Sequence, residues 1–346
     1  MFDVVFYEVF KEEEKTLEKF LPAKIRARFV SKTIQECREA LPSARLISVR
    51  TQSRIPREWA AYLDGVFTRS QGYDHLVAYQ RAAGKNVACG YIKEYCSRAV
   101  AEQAVLVMMV LLRKLKKQMV SFATFSRDGL TGFECRGRRA LVIGVGHIGT
   151  EIVTIARGLG MTVKGADPCR RIKGLGYVAL AKGLPWADVV FCACPLTDKT
   201  KVMLDYNVLR KVKKGAIFVN VGRGEISPAK DLARLLSKGI LGGIGLDVFD
   251  EEHTLADSLR ARRADARARR ILKLKDKNNV VFTPHNAFNT REALEGKARL
   301  SAEAIKHFLR RGTFSDPVPE RREKPLHFHG ESLKYESSGC SAWRDR

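Results

Sequence analysis

Three short stretches of the chain each set a polar residue directly after an apolar, strand-like run. Val219-Asn220-Val221-Gly222-Arg223-Gly224 places an arginine between two glycines, Leu246-Asp247-Val248-Phe249-Asp250-Glu251-Glu252 ends in acids, and Thr283-Pro284-His285-Asn286 supplies a histidine. A guanidinium grips a planar anion with paired donors, and an imidazole exchanges protons near neutral pH. A carboxylate beside that imidazole favours its protonated form. Singly, each has a blander reading: Arg223 as a surface charge, Glu252 as a solvated loop acid, His285 as a structural loop histidine. Beside a nucleotide site, the three become a working set for moving a proton next to a bound anion.

Such a site is written between residues 139 and 167. The run Ala140-Leu141-Val142-Ile143 is short and apolar enough to be a buried parallel strand, and it leads into Gly144-Val145-Gly146-His147-Ile148-Gly149. Helical spacing follows, with Ile152, Ile155, Ala156 and Leu159 on one face, and a second strand over 161–166 ends at Asp167. This is one βαβ unit of the dinucleotide-binding kind. Gly144 permits the turn, Gly146 lets the backbone approach a pyrophosphate, and Gly149 lets the helix pack closely on the strand. The helix N-terminus offers N–H groups and partial positive charge to the phosphates, and Asp167 is placed to accept from an adenosine ribose.

The elements that must position these residues alternate strand and helix along nearly the whole chain. Strands are expected at 4–7, 27–30, 46–49, 66–68 and 87–89, with helices at 12–20, 33–39, 56–63 and 75–83. An apolar helix over 98–120 and a polar linker over 121–135 follow. Further strands are expected at 189–194, 216–221, 244–248 and 280–283, with helices at 206–212, 228–238 and 290–311. The fold class is therefore α/β, with two doubly wound parallel-sheet domains. A dinucleotide-binding domain spans 102–287. A smaller, flavodoxin-like substrate domain spans 1–101 and is completed by 288–314, and 315–346 reads as a loosely attached basic tail.

The 346 residues give ample length for two cores. The net charge of +24 invites a nucleic-acid reading, but the excess is scattered, with local concentration only near 260–277 and 306–324, so no dedicated nucleic-acid surface is expected. The eight cysteines show no CxxC pair, which suits reduced thiols in a cytoplasmic protein better than metal ligation. Cys192 and Cys194 should share one strand face as packing. No apolar run is long enough to cross a bilayer, and the apolar helix near 100–112 suits a homodimer interface.

With these stretches in view, the chain resembles the D-isomer-specific 2-hydroxyacid dehydrogenases up to about residue 312. The resemblance is carried by the glycine turn with Asp167, the Cys194-Pro195-Leu196-Thr197 segment, and the segments around Arg223, Glu252 and His285. Arg50-Thr51-Gln52-Ser53, Gln71-Gly72 and Tyr95-Cys96-Ser97 extend it into the small domain. It implies that Arg223 holds a substrate carboxylate and polarises the carbonyl, that His285 is the acid/base, and that Glu252 orients and charges His285. His147 and Ile148 would offer backbone N–H groups to the pyrophosphate. Cys194, Pro195, Thr200, Val221, Gly222, Arg223 and Asp247 would line the cofactor, while Gln71, Gly72, Tyr95, Arg223 and His285 would face the substrate. The implied cofactor is NAD, because Asp167 repels a 2′-phosphate, although Arg170 and Arg171 nearby could accommodate one.

The implied reaction interconverts a small, pyruvate-like 2-oxo acid and its D-2-hydroxy acid. Within the family, glyoxylate/hydroxypyruvate reduction and phosphoglycerate-type oxidation compete with it. The same fold also serves as an NADH-sensing corepressor, a reading the intact Arg223, Glu252 and His285 weigh against. The chain departs from the pattern in carrying His253 where many members have proline, and in the Arg-rich stretch over 255–277. The spacing from Glu252 to His285 leans towards the D-lactate dehydrogenase branch, as do Tyr73-Asp74-His75-Leu76 and Phe288-Asn289-Thr290.

Overall fold

A computed structural model describes residues 2–83 and 87–319. Its first sheet contains β1 (Val4–Phe6), β2 (Ala27–Phe29), β3 (Leu46–Val49), β4 (Gly65–Thr68) and β5 (Ala88–Tyr91), in the order β2-β1-β3-β4-β5. The second contains β6 (Arg139–Ile143), β7 (Thr162–Ala166), β8 (Gly176–Tyr177), β9 (Val189–Cys192), β10 (Ala216–Asn220), β11 (Leu241–Leu246) and β12 (Val280–Phe282), in the order β12-β11-β10-β9-β6-β7-β8. All pairings within both sheets are parallel. The fold is thus the expected pair of doubly wound α/β sheets. In the large sheet the strand order reverses between β6 and β9, which opens a crevice at their carboxyl ends.

The helices, in chain order, are α1 (Lys11–Phe20), α2 (Ile34–Cys37), α3 (Asp74–Ala83), α4 (Ser97–Leu112), α5 (Leu115–Ser121), α6 (His147–Gly158), α7 (Leu180–Gly183), α8 (Tyr206–Leu209), α9 (Ala229–Ser237), α10 (Glu252–Arg260), α11 (Ala266–Lys275) and α12 (Arg291–Arg311). Helix α4 packs on α6 and the large sheet so closely that a Cβ on Gly245 would lie 2.1 Å from Val107 Cγ1. Helix α12 crosses to the first sheet and packs on α1, where Ala298, Ile305 and Phe308 share a core with Val4, Phe6 and Phe67. With that return the chain crosses between the two sheets twice.

Several local expectations are corrected. The single helix over 98–120 is two helices, because Lys114 turns left-handed (φ 53°) and the Phe133 N–H donates to the Leu112 carbonyl that would continue the helix. Only glycine fits at 132, where a Cβ would lie 2.4 Å from that carbonyl. The helix expected over 56–63 is a 3-10 turn at Arg57–Ala61. The unassigned Arg-rich stretch folds as α10 and α11, the latter capped by Asp265 and burying Ala268, Ile271 and Leu274. Residues 315–319 are not loose: Val318 is buried, and its N–H donates to Cys89 O beside a Gly90–Pro317 bridge. The remainder of the basic tail, 320–346, lies outside the described residues. Among the described residues six cysteines, including Cys192 and Cys194, carry free thiols, as expected. Among the described residues no helix is long and apolar enough to cross a membrane.

Candidate active site

The cleft between the sheets is built from loops at strand carboxyl ends. After β10, the buried Asn220 ties the next turn together: its Nδ2 donates to Arg223 O (2.9 Å) and Ser227 Oγ (2.8 Å), and its Oδ1 accepts from Gly222 N (2.9 Å). Gly224 lets this turn press on the loop after β11, since a Cβ there would lie 1.8 Å from Phe249 C. Arg223 is thereby aimed across the cleft. Its Nε donates to Asp74 Oδ1 (3.0 Å), its Nη1 donates to Gly222 O (2.9 Å), and its Nη2 occupies the space a Cβ on Gly72 would take. Burial works against the Asp74 carboxylate, but the guanidinium outweighs it and holds Asp74 below the usual carboxylate range. The Nη1/Nη2 edge keeps donors for a second planar anion.

His285 follows β12 with a left-handed backbone (φ 51°), a conformation that costs a non-glycine residue about 1–2 kcal/mol. Asp247, after β11, supplies the restraint. Its carboxylate accepts from Thr283 Oγ1 (2.6 Å), Asn286 N (2.8 Å) and Ala287 N (3.0 Å). Hydrogen bonds to a charged group contribute about 1.5–3 kcal/mol each, so three of them outweigh the strain. Glu252, the first residue of α10, places Oε1 2.7 Å from His285 Nδ1. Burial pushes the Glu252 carboxyl up, but the charge and hydrogen bond of His285, with Arg223 nearby, bring it below its ordinary value. The imidazole's Nε2 is left to act on a ligand.

At the crevice, α6 begins at His147, and its first backbone bond runs from Thr150 N to Gly146 O. The N–H groups of His147 and Ile148 precede that bond. Gly146 faces open space, whereas a Cβ on Gly149 would lie 2.0 Å from Gly144 O, so the turn is closed beneath and open above, as a pyrophosphate requires. The Asp167 carboxylate braces the turn, accepting from Val145 N and Cys169 N at 2.7 Å each. Gly144 and Gly222 both pack against Cys194, and Val221 N donates to Cys192 O. Thr200 Oγ1 donates to Pro195 O (2.7 Å), fixing that loop at the crevice wall. The residues present fit a dinucleotide, and Asp247 at the crevice also ties down the His285 loop.

On the small-domain side, Gln71 Nε2 donates to Lys93 O (2.7 Å) and Gln71 Oε1 accepts from Cys96 Sγ (3.3 Å), which locks the loops carrying Gly72 and Tyr95 together. Tyr95 meets the Phe288 ring edge-on at 6.4 Å, and burial pushes its phenol well above the ordinary range. Sequence reasoning placed Arg50 in a polar loop of the small domain and took the segments of Asp74 and Phe288 only as marks of a family branch, without giving any of the three a partner. The available signals were an acid two residues after Gly72 and an aromatic three residues after His285. Arg54 Nη2 to Thr254 Oγ1 (3.1 Å) and Arg260 Nη1 to Gln52 Oε1 (2.8 Å) also bridge the cleft.

Two parallel-sheet domains enclosing an Arg, a Glu–His pair and a glycine-turn crevice define a nucleotide-dependent oxidoreductase architecture. Residues 104–287 match the family model described as "D-isomer specific 2-hydroxyacid dehydrogenase, NAD binding domain", and the chain belongs to that family. It is 35% identical to D-lactate dehydrogenase of Escherichia coli (strain K12), over 59% of this chain and 63% of that protein, which is less than two thirds of the relative's length. It is 31% identical to 2-hydroxyacid dehydrogenase A of Aspergillus oryzae, over 77% of this chain and 79% of the relative. Among solved structures it is similar to D-lactate dehydrogenase from Aquifex aeolicus complexed with NAD and lactic acid. That likeness has a TM-score of 0.78 and 26% identity, and covers 90% of this chain and 98% of the other.

Proposed function

We propose that the chain is an NAD-dependent D-2-hydroxyacid dehydrogenase that interconverts a small 2-oxo acid, of pyruvate type or extended from it, and the D-2-hydroxy acid. The observation that carries this reading is the 2.7 Å contact of His285 Nδ1 with Glu252 Oε1 in the cleft that Arg223 enters from the neighbouring strand end. Bound NADH supplies the hydride. Arg223 receives the substrate carboxylate on its Nη1/Nη2 edge and draws charge towards the carbonyl oxygen. His285 Nε2 delivers the proton that this oxygen takes up on reduction, and removes it in the reverse direction. Glu252 keeps the imidazole oriented through its contact with Nδ1. Asp167 at the ribose end favours NAD over NADP.

The test is an NADH-oxidation screen over pyruvate, hydroxypyruvate, glyoxylate, phenylpyruvate and branched 2-oxo acids, repeated with NADPH and with the product resolved by chirality. NADH binding without turnover of any of them, together with capture of peptide partners, would favour the corepressor reading. A second measurement tests the acid/base pair. In Glu252→Gln the charged partner 2.7 Å from His285 Nδ1 is replaced by a neutral amide of the same shape, so reductive turnover should fall by about tenfold or more while NADH still binds. Unchanged turnover would remove Glu252 from this role.

The reading includes a cytoplasmic setting and a homodimer. Leu106, Met119, Val120, Phe122 and Phe125 of the α4–α5 region are exposed, with Phe122 and Phe125 each 76% accessible, and a second copy is the occupant that suits so apolar a face. The double variant Phe122→Asp/Phe125→Asp should run as a monomer in light-scattering chromatography where the parent runs as a dimer. A monomeric parent would end that part of the reading.

A further inference from the structure

A cavity of about 490 Å³ opens at His285 and runs along the small domain past Phe10, Arg50 and Gln52 to Arg260. Arg50 stands out within it. Its guanidinium lies 4.5 Å from the centre of the Phe288 ring and 5.5 Å from that of Phe10. Among the described residues no carboxylate forms an ion pair with it. The neighbouring acids are already engaged. Glu8 accepts from the backbone N–H groups of Arg50, Gln52 and Ser53, and Glu36 pairs with Arg260 while accepting from Thr33 N. Glu13 is held between Arg69 (3.0 Å) and Lys297 (2.6 Å).

The wall behind Phe288 therefore carries Arg50, Arg69 and Lys297 against Glu13. Lys297 reports this surplus: burial first, then Arg50 and Arg69, press its ammonium down to about 7 despite Glu13. Stacking on aromatic faces fixes the plane of the Arg50 guanidinium while leaving its edge donors for a planar anion. Phe288 is three residues beyond His285 in the same loop, so Arg50 is held at a set place relative to the proton donor. With Arg223 taking the carboxylate next to the reacting carbonyl, Arg50 is left as a further cation lining the cavity that opens at His285, free to meet a second anionic group.

We infer that Arg50 is a specificity-determining residue and that the substrate is a 2-oxo acid bearing a second anionic group, carboxylate or phosphate, at the end of a short carbon chain. This rests on the dehydrogenase reading above. The experiment compares kcat/KM for NADH-dependent reduction of 2-oxoglutarate and 3-phosphohydroxypyruvate with that for pyruvate and 2-oxobutyrate, using the full chain and its Arg50→Met and Arg50→Lys variants. The parent should favour at least one dianionic substrate by tenfold or more, and which one it favours identifies the second group. Arg50→Met should lower the ratio of dianionic to monoanionic kcat/KM by about 10²-fold. Arg50→Lys should keep part of the preference, and it carries the test if the methionine variant does not fold. A parent that prefers pyruvate or 2-oxobutyrate, or variants that depress both classes alike, would overturn the inference while leaving the dehydrogenase reading in place. NADH binding with no reduction of any 2-oxo acid would instead sink that reading itself.

Discussion

Replacing His285 with alanine is expected to lower reductive turnover by about 10²–10⁴-fold while NADH still binds. The expectation rests on geometry: Nδ1 is engaged by Glu252 at 2.7 Å, so Nε2 is the nitrogen left to give a proton, and Asp247 fixes the loop that aims it. The left-handed backbone at this position (φ 51°) complicates the alanine variant, which keeps the strain and loses the imidazole's contacts. His285→Asn removes the strain objection, because asparagine tolerates that conformation. Both variants should quench or shift NADH fluorescence as the parent does and both should fail in turnover. A variant that keeps more than about a tenth of the parent rate would remove His285 as the acid.

Arg223→Lys is expected to reduce kcat/KM for any 2-oxo acid by about 10²-fold or more. Lysine preserves the charge, so the Asp74 carboxylate stays balanced and the loss cannot be assigned to an unpaired buried acid. What disappears is the planar pair of donors, held by the Gly222 carbonyl and seated on Gly72. An ammonium on a flexible stem cannot hold a carboxylate and its adjoining carbonyl in one orientation. Binding of oxamate, which carries the same carboxylate beside an amide carbonyl, should weaken in parallel. Unchanged oxamate affinity with unchanged kcat/KM would remove Arg223 from the substrate's carboxylate.

The features legible in the sequence are those confined to a short span. The glycine turn, its strand, its helix and Asp167 lie within thirty residues, where hydrophobic period and turn chemistry act locally. Helix interruption at Lys114 was not legible, because it depends on Phe133 capturing the Leu112 carbonyl from a segment that carries no periodic signal. The Arg-rich stretch hid two helices for a related reason: Ala268, Ile271 and Leu274 give α11 only a narrow buried stripe among its charges.

The sequence by itself determined that two parallel α/β sheets would form, that a dinucleotide turn would follow β6, and that an arginine, an acid and a histidine would stand at strand ends. Each of these is set by alternation of apolar and polar residues and by glycine, both properties of contiguous chain. Only the tertiary structure decided which partners those residues meet. Asp74 reaches Arg223 from 149 positions away, Asp247 restrains the His285 loop, and Arg50 lies over Phe288 with no carboxylate ion-paired to it among the described residues. The reason is that each of these contacts joins loops from different strand ends or from both sheets, and their distance is set by how α4 and α12 pack the sheets together rather than by any local pattern.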